Sequence, residues 1–273
     1  MENIRGRHAV HMARTFLRQR QGFASTRDWL VYGRLRLGLG RQLRAVEPAV
    51  RLRPKGFGKP VALRPGTTDC CVFREIFIEG EYDCLLRNAL GEVKTVLDLG
   101  ANIGLFTRYA RQHFPDARIV AVEPEEGNAR MLAENLGLSG PDLRVTALQA
   151  CAAGMSRCVS VVSTTGEWGY QMVDGAGAQV AAMRVPEILA GAGISGDVDL
   201  LKCDVEGAEK EIFANCADWI GRIRNIMVEI HGDYTAVGLL ADIACNGGNF
   251  HVVEKVETSG LPTLLFLQRE KQS

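Results

Sequence analysis

The sequence lacks the marks of several classes of protein. Its eight cysteines include no CxxC pair, so neither a zinc site nor a disulfide framework is indicated, and we expect reduced thiols. No apolar run approaches the roughly 20 residues that a membrane-spanning helix needs. The first 21 residues hold no unbroken apolar stretch of the signal-peptide type. These absences favour a cytoplasmic protein.

The net charge is zero, but the charges are unevenly placed. Residues 1–65 hold 15 Lys and Arg against 3 Asp and Glu, a local charge of +12 that the remaining residues balance. This asymmetry predicts a basic, helical extension over residues 1–60, followed by an acidic domain over residues 61–273. The arm could bind nucleic acid, an anionic surface or an acidic substrate. The simpler expectation is that the arm docks on the acidic domain of its own chain, or on a second subunit in a homo-oligomer.

From Thr95 onward, nearly continuous apolar runs alternate with helical stretches. The runs are TVLDLG, RIVAVEP, RVTALQA, VDLLKCD and IMVEIHG. Such runs are typical of parallel strands covered by helices on both faces, so we predict a doubly wound α/β domain. The final runs, FHVVEKV and TLLFLQR, predict an antiparallel pair at the sheet edge. Residues 155–185 predict a loop near the substrate.

The stretch TVLDLGANIGLF, residues 95–106, predicts a ligand at the end of the first strand. A dinucleotide loop would read GxGxxG, whereas here Asp98 occupies the first glycine position and would repel a phosphate. A carboxylate suits a ligand that carries an ammonium group, and S-adenosylmethionine fits. Gly100 would let the backbone approach that ligand, and Gly104 would let the next helix pack closely. A nicotinamide dehydrogenase is disfavoured.

The next two strands extend the predicted cofactor site. Glu123 ends the second predicted strand, where it can accept hydrogen bonds from both ribose hydroxyls. After the third strand, the small residues Ala150, Cys151 and Ala152 could form an adenine pocket. Plain core packing explains those three equally well.

The stretch DLLKCDVEGAEKEIF predicts the chemistry of the site. Alternation puts Lys202 and Asp204 on one side of the strand, and a Lys in a central strand calls for a partner such as Asp204 or Glu206. The following strand, NIMVEIHG, ends at His231. We predict that these strand ends meet in one cleft, where His231 acts as general base on a hydroxyl.

Other roles stay open for the same residues. Asp204 or Glu206 could orient His231, or could itself be the base. The three side chains could also form structural salt bridges, or hold Mg²⁺ or another divalent ion. The spacing is not diagnostic of a metal, and we expect none.

The motifs VLDLGANIG, AVEP, DLLKCDVEGAE and VEIHG, in that order, resemble the FkbM-like methyltransferases. The preceding LRPGTTDCCVFREIFIEGEYD resembles that family's lead-in, and the similarity covers residues 62–268. The resemblance implies a Rossmann-like class I methyltransferase with a mostly parallel seven-stranded sheet and an antiparallel edge strand. It implies that six residues contact the cofactor: Asp98, Gly100, Asn102, Gly104, Glu123 and Tyr82. Of these, Tyr82 would close over the cofactor. Asp204, Glu206 and His231 carry over as site residues.

The resemblance implies methyl transfer from S-adenosylmethionine, with S-adenosylhomocysteine as product. The acceptor would be a hydroxyl of a sugar, lipid or secondary metabolite. A nucleic-acid or N-methyltransferase that uses the basic arm is the first alternative, although no aromatic-interleaved basic motif supports it. The second is an S-adenosylmethionine-binding partner protein without catalysis.

Overall fold

The computed structural model describes residues 16–39, 49–88, 90–137, 143–163, 170–173, 179–256 and 262–270. The chain divides into two compact units, residues 1–81 and 82–273. The boundary predicted between residues 60 and 61 lies inside the first unit, because strand pairing joins Val50–Leu52 to Val61–Leu63. Of the basic, helical extension expected over residues 1–60, residues 1–15 and 40–48 lie outside the described residues.

The first unit is built around a short helix and a two-stranded antiparallel pair. Ser25 caps the first helix by accepting a hydrogen bond from the Asp28 amide at 3.1 Å. Phe23, Tyr32 and Phe73 form its aromatic core, with ring centroids 5.0 to 6.1 Å apart. Its elements are α1 (Thr26–Arg34), a π-helical turn (Leu35–Leu39), β1 (Val50–Leu52), β2 (Val61–Leu63), α2 (Asp69–Arg74) and a second π-helical turn (Glu75–Glu79).

The second unit carries a seven-stranded, mostly parallel sheet, which confirms the predicted fold class. Its helices are α3 (Cys84–Arg87), α4 (Leu105–His113), α5 (Glu126–Gly137), α6 (Val185–Gly191), α7 (Glu209–Ala214) and α8 (Ala236–Cys245). The strands of the large sheet are β3 (Thr95–Leu99), β4 (Arg118–Val122), β5 (Val145–Leu148), β10 (Leu200–Cys203), β11 (Asn225–Ile230), β12 (Phe250–Val256) and β13 (Thr263–Arg269). A smaller sheet contains β6 (Cys151–Ala152), β7 (Arg157–Ser163), β8 (Tyr170–Val173) and β9 (Gln179–Met183).

The strand order places the carboxyl ends of five parallel strands side by side. The order is β12-β13-β11-β10-β3-β4-β5, with β11, β10, β3, β4 and β5 all parallel. Side chains that follow β4, β3, β10 and β11 therefore meet at one edge of the sheet. The strands can be this apolar because both faces of the sheet are buried. Leu97, Val120 and Leu201 are buried on one face, and their neighbours Val96, Ile119 and Leu200 are buried on the other.

The end of the sheet departs from the prediction in one detail. Strands β12 and β13 form the expected antiparallel pair. The antiparallel strand β13 lies between β11 and β12, so the edge strand β12 itself runs in the parallel sense. Hairpin pairing explains this order, because β13 pairs with β12 along one of its edges and with β11 along the other.

The smaller sheet replaces part of the loop expected at residues 155–185. Its strand order is β6-β9-β7-β8, with β7 antiparallel to both of its neighbours. Serines and glycines interrupt the apolar pattern of this segment, so its strand signal is weak in the sequence. Across the described residues, we find no helix both long enough and apolar enough to traverse a lipid bilayer.

Candidate active site

The loop after β3 owes its shape to residues with left-handed backbone. Gly100 has φ +76°, and a Cβ added there would stand 1.7 Å from the carbonyl oxygen of Asp204. The glycine is therefore required by the close approach of the loop after β10, a reason different from the ligand approach that the sequence suggested. Gly104 has φ +82°, and a Cβ there would lie 2.5 Å from Leu132 Cδ1 of helix α5. The space beside Gly104 is thus taken by α5 rather than by the next helix, α4, and the close packing of α4 that the sequence suggested stays a prediction.

Glu123 ties this loop to the end of β4. Its Oε2 accepts a hydrogen bond from the Asn102 amide at 2.8 Å, and its Oε1 accepts one from the Glu125 amide at 3.0 Å. Asn102 itself has φ 49° and accepts a hydrogen bond from the Ile103 amide. Burial raises the pKa of Glu123 to about 7, against hydrogen bonds that lower it. The carboxylate is thus held at the strand end in a fixed orientation.

Lys202 connects the cofactor loop to the end of β10. Its Nζ donates to the Gly100 carbonyl oxygen at 2.6 Å and lies 3.2 Å from Asp204 Oδ2 and 3.7 Å from Asp98 Oδ1. The predicted partner Asp204 is confirmed. Burial lowers the pKa of Lys202, but the charges of Asp204 and Asp98 outweigh it and raise that pKa, so the ammonium stays charged.

Asp98 is fully buried and lies opposite Lys202 in the pairing of β3 with β10. Its Oδ2 accepts a hydrogen bond from the Thr107 hydroxyl at 2.6 Å, whereas its Oδ1 has no hydrogen-bond partner among the described residues. Burial raises the pKa of Asp98, and the Lys202 charge opposes that rise. The cation nearest to Asp98 is therefore the protein's own, and its predicted contact with a cofactor ammonium stays a prediction.

His231 lies directly after β11, facing the loop that follows β10. Its Nδ1 lies 2.9 Å from Oε1 of Glu209, a fully buried carboxylate at the start of α7. Its Nε2 lies 3.5 Å from Glu206 Oε2 and 3.9 Å from Asp204 Oδ1. The structure thus brings all three predicted catalytic residues together at one point of the sheet edge.

The electrostatics of this cluster favour a proton on His231. Burial lowers the pKa of His231, but the hydrogen bond to Glu209 and the charge of Asp204 raise it to about 9 overall. Burial and the neighbouring Asp204 charge raise the pKa of Glu206 to about 7. At neutral pH, His231 therefore keeps its proton, which weighs against its predicted role as general base.

The remaining two predicted cofactor residues lie apart from this cluster. Tyr82 is buried, with its ring centroid 4.7 Å from that of Phe106 in α4. Cys151 is buried in the smaller sheet, where burial and the Glu123 charge raise the pKa of its thiol to about 12. Tyr82 thus packs on the helix that follows the cofactor loop, and Cys151 lies in the neighbourhood of Glu123. Their contact with a cofactor stays a prediction.

The sequence analysis missed Glu209 as a site residue and gave Thr107 no role. The signal for Glu209 is an acidic residue at the start of the helix after a strand-end Asp, but the same pattern occurs wherever an acid favours a helix dipole. Thr107 gives no signal, because its contact with Asp98 depends on how α4 packs against β3.

A cavity of about 500 Å³ opens beside His231. It lies where β11 ends and α8 begins, and Lys255 of β12 borders it. Its lining residues are Ile230, His231, Gly232, Tyr234, Thr235, Ala236, Lys255, Pro262 and Thr263. The cavity is large enough for a small organic molecule and offers both polar and apolar surface.

Comparison with known proteins identifies the family. The model of the methyltransferase FkbM domain matches residues 98–255, a span that begins at Asp98 and includes Glu123, Asp204 and His231. The chain belongs to the FkbM methyltransferase family. It therefore carries a methyltransferase domain that uses S-adenosylmethionine, as the motifs predicted.

Curated relatives of this FkbM-family chain are 27 to 29% identical to it over the aligned residues. Methyltransferase sdnD from Sordaria araneosa is 29% identical over 196 residues, 58% of this chain and 73% of that protein. The 31-O-demethyl-FK506 methyltransferase FkbM from Streptomyces tacrolimicus is 27% identical over 220 residues, 67% of this chain and 82% of that protein. AMB antimetabolite synthetase AmbE from Pseudomonas aeruginosa is 28% identical over 206 residues, which is 59% of this chain but 9% of AmbE.

Solved structures support the fold of the FkbM-family domain. The METTL16 methyltransferase domain superposes with a TM-score of 0.53 at 9% identity, covering 79% of this chain and 75% of that one. The human methyltransferase 10 domain containing protein gives a TM-score of 0.52 at 9% identity, covering 87% and 96%. At such low identity these likenesses show the class I methyltransferase fold and nothing of the substrate.

The described residues fit the cofactor that the family implies. Asp98 Oδ1 is a buried acceptor without a hydrogen-bond partner among the described residues, beside a loop whose glycines keep the strand ends close together. Glu123 presents a buried carboxylate at the next strand end, where ribose hydroxyls are bound in this class of fold.

Proposed function

We propose that this chain transfers a methyl group from S-adenosylmethionine to a hydroxyl of a small molecule, of the sugar, lipid or secondary-metabolite class. One observation carries the proposal. The cluster of His231, Asp204 and Glu206 stands at the carboxyl ends of β10 and β11, and His231 lines a cavity of about 500 Å³. The relative from Streptomyces tacrolimicus is named as the methyltransferase of 31-O-demethyl-FK506, a name that supports oxygen as the acceptor atom.

The cofactor would be held by the residues at the first two strand ends: Asp98, Gly100, Asn102, Gly104 and Glu123. When bound, S-adenosylmethionine supplies an electrophilic methyl group and leaves as S-adenosylhomocysteine once the acceptor oxygen has taken that methyl. Lys202 contributes by fixing the cofactor loop to the end of β10 through the Gly100 carbonyl and Asp204. Cofactor and acceptor are thereby held at a constant separation, which is the main demand of an in-line displacement.

The hydroxyl proton has to leave the acceptor. Because the carboxylates around His231 keep its imidazole protonated near neutral pH, one of these carboxylates is the better proton acceptor. Glu206 is favoured, since its Oε2 lies closest to Nε2 and its side chain is about one-third exposed. In this arrangement His231 donates a hydrogen bond that orients the acceptor.

The test is methyl transfer from radiolabelled S-adenosylmethionine to a panel of hydroxylated sugars, lipids and polyketide-type alcohols, each paired with its amine analogue. We expect at least one alcohol to be labelled, and mass spectrometry with NMR to locate the new methyl group on oxygen. Glu206→Gln should lower kcat by about 100-fold or more, in line with loss of a general base. Asp116→Asn, an exposed carboxylate at the opposite end of β4, serves as the control.

Two results would contradict the proposal. Labelling of amines alone would show an N-methyltransferase. S-adenosylmethionine binding without transfer to any acceptor class, nucleic acid included, would favour a non-catalytic partner protein. A role for the basic arm in binding a second subunit or an anionic surface stays a prediction.

A further inference from the structure

Three side chains with different ligand atoms converge at the ends of β10 and β11. The ligand atoms of Asp204, Glu206 and His231 all lie within 4.8 Å of one another. His231 Nε2 is 3.5 Å from Glu206 Oε2 and 3.9 Å from Asp204 Oδ1, which is too far for good hydrogen bonds. Ligand atoms around a Mg²⁺-sized ion lie about 3 Å apart when adjacent and about 4 Å apart when opposite, given metal–oxygen bonds of about 2.1 Å.

The opposite side of the imidazole provides a second, independent observation. His231 Nδ1 is bound by Glu209 at 2.9 Å, and Glu209 is fully buried. Metal-binding histidines use this arrangement, in which a carboxylate holds one ring nitrogen and thereby aims the other at the ion. Glu209 Oε2 is buried and has no hydrogen-bond partner among the described residues.

We propose that Asp204, Glu206 and His231 bind a divalent cation of the Mn²⁺ or Mg²⁺ type, with Glu209 as the positioning residue for His231. The ligand set supports this class of ion, because carboxylates suit Mg²⁺ and Mn²⁺ and a single imidazole is accepted by Mn²⁺. This proposal departs from the expectation of no metal, which was drawn from sequence spacing. Spacing could not reveal the site, since its ligands come from two strand ends.

The cation has a defined place in the proposed reaction. Three protein ligands would leave coordination positions of the ion open, and His231, one of the three, lines the cavity. Binding of the ion would displace the proton from His231 Nε2, because a metal binds only the neutral imidazole. An acceptor hydroxyl on the ion would be polarised and would pass its proton to the Glu206 carboxylate oxygen that does not bind the ion. This consequence rests on the proposed function, whereas binding of the ion itself does not.

The experiment is a titration of the metal-free, full-length protein with Mn²⁺, followed by the loss of the free-ion EPR signal. We expect one Mn²⁺ per chain, displaced by excess Mg²⁺. The double variant Asp204→Asn, Glu206→Gln should bind Mn²⁺ at least tenfold more weakly, while Asp116→Asn should match the wild type. Absence of Mn²⁺ binding at millimolar concentrations, or wild-type affinity in the double variant, would overturn the proposal.

Two further measurements keep the outcomes distinct. Circular dichroism shows whether each variant is folded, and Glu206→Gln alone changes only a partly exposed loop side chain. Glu209→Gln should weaken Mn²⁺ binding by about 10-fold or more while the protein stays folded, as loss of a supporting carboxylate does elsewhere. Mn²⁺ binding without methyl transfer to any alcohol would refute the proposed function and leave the metal site intact. Full transfer activity in the presence of a chelator, together with the absence of Mn²⁺ binding, would refute the metal site and leave the proposed function intact.

Discussion

At the scale of single residues, Gly100 must be glycine because a neighbouring loop leaves no room for a side chain. A Cβ at this position would lie 1.7 Å from the Asp204 carbonyl oxygen, and φ is +76°. A steric clash with backbone cannot be relieved by rotating a side chain. The loop after β3 and the loop after β10 therefore share one tightly packed point, at the centre of the candidate site.

Gly100→Ala should lower the free energy of unfolding by at least about 2 kcal/mol, from left-handed strain together with overpacking. Gly247→Ala is the matched control, because Gly247 has φ +84° but nothing within 4 Å of an added Cβ. It should lose about 1 kcal/mol, the cost of the left-handed backbone alone. Urea denaturation of both variants measures the difference. Equal decreases in unfolding free energy for the two variants would show that the close contact with Asp204 does not contribute to the cost of Gly100→Ala.

Glu123 makes stability depend on pH. Burial raises its pKa from 4.5 to about 7, so the folded state holds the proton more tightly than the unfolded chain does. The resulting stabilisation is complete below about pH 4.5 and is lost as the pH rises through about 7. The full loss is on the order of 3 kcal/mol.

Glu123→Gln removes this titration. Between pH 5 and pH 8, the unfolding free energy of the wild type should therefore fall relative to that of Glu123→Gln, measured by urea denaturation without cofactor. Asp116→Asn, whose carboxylate is exposed, should keep the wild-type dependence. A constant difference between wild type and Glu123→Gln across this range would contradict the buried position of the carboxylate.

At the scale of elements, Lys202 links β10 to the loop after β3. Lys202 pairs in register with Asp98 of β3, and its Nζ contacts the Gly100 carbonyl and Asp204. The two strands are thus connected by side chains as well as by their backbone ladder. A buried ion pair of this kind is costly to break because the remaining partner is left uncompensated.

Lys202→Met should cost about 3 to 5 kcal/mol of unfolding free energy, because Asp98 would remain as a buried charge without its cation. The double variant Lys202→Met, Asp98→Asn should recover part of that loss, since the buried charge is then gone. Chemical denaturation of the two variants provides the comparison. A double variant less stable than Lys202→Met alone would show that Asp98 is not the group that Lys202 compensates.

At the scale of the whole molecule, the large sheet and the candidate site lie within residues 82–273. The family match, residues 98–255, lies inside this unit as well. We therefore expect a fragment of residues 82–273 to fold and to bind S-adenosylmethionine as the full chain does. Calorimetric titration of the fragment and of the full chain measures this. An unfolded fragment, or an affinity tenfold weaker, would show that residues 1–81 are needed for the site.

The sequence by itself determined the class of the fold and the position of the candidate site. The apolar runs and helical stretches from Thr95 onward predict parallel strands, and parallel strands bring their carboxyl ends to one edge. Asp98, Glu123, Asp204 and His231 could be placed at that edge because Asp98 is the last residue but one of its strand and the other three directly follow theirs. Local pattern is sufficient here, since the period of two and the strand direction are local properties.

Only the tertiary structure decided which of these groups touch. The contact of Gly100 with Asp204, the bond of Glu209 to His231 and the place of β13 between β11 and β12 join residues far apart in the chain. The protonation of His231 depends on carboxylates from two other segments. Distances of a few ångströms decide hydrogen bonding, pKa and metal binding, and such distances follow from packing rather than from spacing along the chain.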